Sequence, residues 1–269
     1  MPEILSTDGV RLNYLESGDP AGRPVILVAG FKAPATSWKP QLGALEKAGY
    51  RVIALDRRGH GASEVGRDGA HDMDRHGADI GDAIAALELE NTTVVGQSMG
   101  GNSIWALLSA GRAAGIRDIV IVDQTPKMLN SEDWPYGFYD YDSSNIDTLF
   151  ASGVPDPGRH SLVSKGPVRV ARLLKAIDLK AAKAGFTPAE LELLNDHAKR
   201  DWRPTIAATA VPVLFVAGRE SDFWPCEHAV ASAALAPLGH SAVIQKAGHA
   251  TNIEQPKAFT VGLLKWLAR

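Results

Sequence analysis

The chain predicts an α/β fold: a mostly parallel, twisted sheet with helices on both faces and an inserted helical cap. Three observations carry that expectation. Short apolar, β-branched runs recur along the chain, helical patterns fall between them, and the alternation breaks once over a long stretch.

Asp8-Gly9 is a turn signal between Glu3-Ile4-Leu5-Ser6 and the alternating run Val10 to Leu15, which predicts an opening hairpin. Nearly continuous apolar runs follow at Val25 to Ala29, Val52 to Leu55, Thr92 to Val95, Ile119 to Val122, Val211 to Val216 and Ala242 to Ile244. Their length and β-branching predict strands buried on both faces. Helices are expected from Pro40 to Ala48, Asp72 to Leu89, Ser98 to Ala110 and Lys257 to Leu267. Between Val122 and Val211 no buried-strand run occurs. That stretch opens with the aromatic-rich loop Trp134 to Tyr141 and then offers helices from Val168 to Lys183 and from Thr187 to Lys199. The second begins Thr187-Pro188-Ala189-Glu190, a capping-box pattern with proline at the first helical position. A structureless loop of this length is uncommon in a compact domain. Residues 126–204 are therefore expected to form a mostly helical cap inserted into a core of residues 1–125 and 205–269.

Composition narrows the function classes. The 269 residues carry a formal net charge of −3, so no basic field exists to hold nucleic acid or an anionic membrane. The single cysteine, Cys226, rules out an internal disulfide and a cysteine-based zinc site. The N-terminus lacks the charged-then-apolar pattern of a signal peptide, and no apolar stretch approaches the roughly 20 residues of a membrane span. A soluble, cytoplasmic protein without internal repeats is expected. His71 and His76, near Asp72 and Asp74, read as solvated residues at a helix start, and His60 as part of a structural glycine turn.

The chemistry concentrates in Gly96-Gln97-Ser98-Met99-Gly100, which follows an apolar strand and opens a helix. In this G-x-S-x-G setting the glycines permit a sharp turn that exposes the serine hydroxyl, and the Met99 N–H lies at the positive end of the new helix. Near the C-terminus, Gly248-His249 sits on a loop between a strand and the last helix, a setting suited to a general base. Together with Ala29-Gly30-Phe31, Trp38 downstream and the turn Asp56 to Ser63, these motifs resemble those of the α/β-hydrolases over nearly the whole chain. The resemblance implies an α/β-hydrolase fold, Ser98 as nucleophile, His249 as base, and an oxyanion hole from the backbone N–H groups of Phe31 and Met99. Ala29 stands where that family usually has histidine, a departure that changes how the loop is anchored without removing the main-chain donor.

The acid has two candidates. The family usually places it after the penultimate strand as Gly-x-x-Asp, and counting from Gly218 puts Ser221 in that slot with Asp222 one residue late. Asp123 ends the strand next to the elbow strand and is the preferred acid, with Asp222 the alternative; both keep the order Ser…Asp…His.

The implied reaction is hydrolysis of a small carboxylic ester or lactone through an acyl-enzyme, with no metal or organic cofactor. Resemblance leaves three alternatives: a carbon–carbon bond hydrolase of ring-cleavage products, a cofactor-free haloperoxidase or perhydrolase, and a hydrolase-fold receptor with little turnover. Trp134, Tyr136, Phe138 and Tyr139 are expected to line an apolar substrate pocket over Ser98, and Lys32 beside the oxyanion loop is a further substrate-binding candidate. The amphipathic run from Val168 is expected to pack the cap through its apolar stripe of Val168, Val170, Leu173, Leu174 and Ile177.

Overall fold

The computed structural model describes residues 1–66, 71–160, 162–176 and 184–269. Strand β1 (Glu3–Leu5) pairs antiparallel with β2 (Arg11–Ser17) across the Asp8-Gly9 turn, where Gly9 takes a φ of 81°. The remaining strands are β3 (Arg23–Val28), β4 (Tyr50–Leu55), β5 (Thr92–Gln97), β6 (Ile116–Val122), β7 (Val213–Gly218) and β8 (Gly239–Ile244). They form one eight-stranded sheet in the order β1-β2-β4-β3-β5-β6-β7-β8, parallel from β4 onward.

Alternation along the central strands explains why each reads as continuously apolar. Ile26 and Val28 of β3, with Ile119 and Ile121 of β6, enter one buried cluster; Val25 and Leu27, with Val120 and Val122, enter the other. Each strand thus feeds two cores, one per face. Helices α1 (Lys39–Lys47) and α8 (Pro256–Leu267) cover the second cluster through Leu45, Phe259, Leu263 and Trp266. Helices α2 (Met73–Ala86), α3 (Met99–Ser109) and α7 (His228–Leu235) cover the first through Ile80, Ile104, Trp105 and Ala229. Strand β8 departs from the expectation of double burial. It is the edge strand, and Ser241 and Ala242 are exposed.

Between β6 and β7 the chain forms α4 (Leu162–Ala176), α5 (Pro188–Lys199) and α6 (Arg203–Ala208). The expected capping box on α5 is present, with Thr187 and Glu190 each bonding the other's backbone. Phe138, Phe150, Leu194 and Trp202 of this segment join the first core cluster. Residues 177–183, Ile177 among them, lie outside the described residues. The docking of α4 follows the expected stripe only in part: Val170 and Leu173 are half-buried, and Leu173 lines a cavity. Val168 and Leu174 are exposed, whereas Arg169 is buried and pairs with Glu220 and Glu254. The cause is electrostatic: the Glu254 side chain is only 1% exposed, and a sealed carboxylate requires a cation more strongly than a methyl group requires cover.

His71 and His76 also depart from the solvated reading. Both are buried, and only Asp72 acts as a cap, accepting the Arg75 N–H at 2.8 Å. No described helix is long and apolar enough to cross a membrane.

Candidate active site

The ends of the parallel strands hold one another in register, and that places the candidate side chains. The Ser98 N–H donates to the Val122 carbonyl at the end of β6, and the Asp123 N–H donates to Val216 of β7. Arg219 and Glu220, just after β7, donate to Ile244 at the end of β8 and to Ala247 beyond it. Ser98, Asp123 and His249 therefore gather at one edge of the sheet although they are far apart in the chain.

Ser98 has φ 53° and ψ −131°, a conformation that a non-glycine residue holds only under constraint. Close packing supplies the constraint. A Cβ on Gly96 would lie 2.5 Å from the Gly100 carbonyl oxygen, and one on Gly100 would lie 2.5 Å from that of Val28. Asp123, at φ 46°, is another of the non-glycine residues with positive φ.

His249 Nδ1 lies 2.9 Å from Asp123 Oδ2. An ionised carboxylate only accepts, so Nδ1 carries the proton and Nε2 keeps a free lone pair. Nε2 lies 3.4 Å from Gln97 Nε2, which also donates to the His249 carbonyl at 3.2 Å. Among the described residues, no hydrogen bond yet joins Ser98 Oγ to the ring. The imidazole is flanked by Phe223 and Trp224, at 4.5 and 5.2 Å between ring centroids.

Asp123 is fully buried and accepts three hydrogen bonds: Gly218 N–H at 2.7 Å, Ser221 Oγ–H at 2.6 Å and His249 Nδ1–H. Burial pushes its carboxyl up, but the facing histidines, His228 and His249, outweigh burial and hold it down to about 2. His228 Nε2 stands 3.8 Å from Oδ1, beyond hydrogen-bond reach, so its influence is electrostatic. Ser221, in the slot where the family pattern has its acid, donates to Asp123 instead.

Asp222 takes a different place. Its Oδ2 accepts the His249 backbone N–H at 3.2 Å and the Lys165 ammonium at 2.8 Å, with no hydrogen bond to the imidazole ring. Lys165 also faces Glu254 at 3.5 Å. The second candidate acid is therefore a tie between α4 and the histidine loop.

The Phe31 and Met99 N–H groups have no acceptor among the described residues. Arg57 fixes the Phe31 loop: its Nη2 donates to the Gly30 carbonyl at 2.9 Å. His60 Nε2 and His76 Nδ1 face the same guanidinium at 3.0 and 3.3 Å, which requires both rings to accept there and to be neutral. Burial and the Arg57 charge push both histidines well below their ordinary value. This anchor occurs in a loop whose first residue is Ala29.

A cavity of about 400 Å³ opens on Ser98, His249, Phe31 and Met99. Phe138, Phe150, Leu173, Phe186, Leu194 and His197 line it from the inserted segment. Of the expected lining residues, Phe138 and Lys32 are present, while Trp134, Tyr136 and Tyr139 are absent from the wall. Trp134 is turned into the structure, donating from Nε1 to Thr125 Oγ1 and packing edge-on against Tyr136. Tyr139 carries Arg159 over its ring. Lys32 is engaged by the Gly185 carbonyl and by Glu190 at 3.3 Å, so its charge is already matched. No group of three or more metal-ligating side chains occurs among the described residues.

A family model described as alpha/beta hydrolase fold matches residues 23–256. The chain belongs to the α/β-hydrolase-fold family. It is 36% identical over 141 residues to the non-heme chloroperoxidase CPO-A1 of Kitasatospora aureofaciens, covering 52% of this chain and 50% of that protein. It is 32% identical over 139 residues to the bifunctional esterase/perhydrolase DCH of Acinetobacter calcoaceticus, covering 51% and 50%. The matched stretch thus spans about half the length of these α/β-hydrolase relatives. The crystal structure of a bromoperoxidase from Bacillus anthracis superposes over 100% of both chains with a TM-score of 0.84 at 26% identity.

Proposed function

We propose that this α/β-hydrolase is a serine hydrolase that cleaves a small carboxylic ester or lactone through an acyl-enzyme, with residues 126–204 serving as a cap over the site. The observation that carries the reading is the His249 Nδ1–Asp123 pair at 2.9 Å beside a serine on a strained elbow, opening on one apolar cavity.

Each step has a residue. His249 Nε2 takes the Ser98 hydroxyl proton as Oγ attacks the carbonyl carbon. Asp123 holds the imidazole in the Nδ1–H tautomer and stabilises its cation. The Phe31 and Met99 N–H groups bind the tetrahedral oxyanion, at roughly 3–4 kcal/mol per donor. The imidazolium then returns the proton to the leaving alkoxide. Water, deprotonated by the same nitrogen, repeats the cycle on the acyl-serine and releases the acid. For Nε2 to reach Oγ, the Gln97 amide must yield its place against the ring.

Relatives named as a chloroperoxidase and an esterase/perhydrolase favour a second reading on the same residues. Hydrogen peroxide attacking the acyl-serine in place of water releases a peroxy acid and regenerates Ser98. The test of both is release of p-nitrophenol from p-nitrophenyl acetate and butyrate by wild type and Ser98→Ala, with and without peroxide. Turnover that disappears in Ser98→Ala supports the hydrolase, and peroxy acid formed only with peroxide adds the second activity. Inert wild type, or turnover that survives Ser98→Ala, contradicts the proposal.

A further inference from the structure

His197 lies on α5 three residues after Leu194, and both line the cavity that opens on Ser98. The residue is 3% exposed. Its Nδ1 is sealed without a hydrogen-bond partner, and its Nε2 makes no hydrogen bond among the described residues. Neighbouring polar side chains on the cavity wall are already engaged: Lys32 by Gly185 and Glu190, Gln97 by His249, and His249 by Asp123. Burial, reinforced by the Arg57 charge, holds His197 down to about 3, so the ring is neutral and offers one donor and one acceptor.

A buried imidazole with neither nitrogen satisfied is uncommon in a native core and calls for a partner. The wall around it, with Phe138, Phe150 and Leu194, supplies none. Water that enters the cavity, or a substrate group that displaces it, supplies that partner.

We infer that His197 is a specificity-determining residue that hydrogen-bonds a hydroxyl carried by the ester substrate at a distance from its scissile carbonyl. This rests on the ester-hydrolase reading above. A hydroxyl both donates and accepts, so it meets a neutral imidazole in either tautomer. A plain alkyl chain reaching the same place leaves both ring nitrogens unpaired. The substrate class is therefore a hydroxylated aliphatic ester, with the chain held by the aromatic wall and the hydroxyl by His197.

Matched esters test this. The p-nitrophenyl esters of hexanoate and octanoate are compared with their ω-hydroxy counterparts, and hexyl acetate with 6-hydroxyhexyl acetate, using wild type, His197→Leu and the polar variant His197→Gln. Wild type should favour the hydroxylated member of at least one pair about tenfold in kcat/KM. The ratio should fall to about one in His197→Leu and be partly kept in His197→Gln, which also guards against loss of folding in the leucine variant. Because the readout is a ratio, a general loss of activity does not imitate it. The same pairs are titrated into Ser98→Ala, following the His197 ring by ¹⁵N NMR. Tighter binding of the hydroxylated ester with a shift of the His197 nitrogens supports the inference even where no ester is turned over, which would sink the hydrolase reading alone. Equal binding and equal rates within every pair, or a preference that survives His197→Leu, overturns it.

Discussion

Asp123 and Asp222 both contact His249, and the difference between the two contacts shows what geometry adds to residue type. Asp123 is sealed, meets the ring nitrogen and is charged by three donors in fixed positions. Asp222 is 23% exposed at its side chain, meets the backbone N–H of the same residue and spends its charge on Lys165. One aspartate faces the Nδ1 proton of the ring; the other holds the loop on which that ring stands.

The largest expected effect separates these roles. Asp123→Asn should lower kcat roughly 10⁴-fold, because an amide in place of the carboxylate no longer fixes the Nδ1–H tautomer or the imidazolium. Asp222→Asn should stay within about tenfold, since the backbone N–H keeps an acceptor. Steady-state kinetics on one ester reads both, and equal losses would erase the distinction.

Next in size is the tie between α4 and the core. Among the described residues, Arg169→Met leaves the sealed Glu254 side chain with Lys165 at 3.5 Å as its cation. The cost should be about 3 kcal/mol, or a Tm lowered by roughly 6–12 °C in thermal unfolding. A Tm within 2 °C of wild type, on that same scale, would show the pair to be incidental.

Protonation sharpens the contrast further. Asp123, depressed to about 2, contributes stability that is complete above its ordinary 3.8 and is lost only as pH falls toward 2. His197 is depressed from 6.5 to about 3, so between those values the unfolded chain binds more protons than the folded one. Stability should therefore fall by about 1.4 kcal/mol per pH unit for this histidine as pH drops below about 6.5. Urea unfolding at pH 7, 6 and 5 measures the slope, and His197→Gln should flatten it. A slope unchanged by that substitution would mean that His197 is protonated in the fold.

The smallest effect concerns Ser221. Removing one of the donors to Asp123 in Ser221→Ala should cost about 1 kcal/mol, or roughly fivefold in kcat with KM unchanged. A loss confined to KM would place Ser221 in binding and not in support of the acid.

Much of this arrangement was legible before the structure. Strands buried on both faces announce themselves through unbroken apolar runs, and the elbow declares itself because glycines must flank a strained serine. Proximity across the sheet is harder to read. Ser221 occupied the expected acid slot, but only the adjacency of β6 and β7 turns its hydroxyl toward Asp123. His197 falls on a helix face with Leu194, where a single polar residue gives no pattern of its own. Arg57 is one of two consecutive arginines, and sequence alone does not say which one is buried against Gly30. The aromatic loop misled for a related reason: large rings signal burial, and Trp134 is buried, but burial does not say against which surface.

In the proposed mechanism Ser98 is a nucleophile activated through His249 by Asp123. Its most direct test is covalent labelling by a fluorophosphonate, with the modified peptide located by mass spectrometry and the rate compared across wild type, Asp123→Asn and Asp222→Asn. An adduct should form on Ser98, rapidly in wild type and Asp222→Asn and slowly in Asp123→Asn. Labelling elsewhere, or a rate that collapses only in Asp222→Asn, would contradict it.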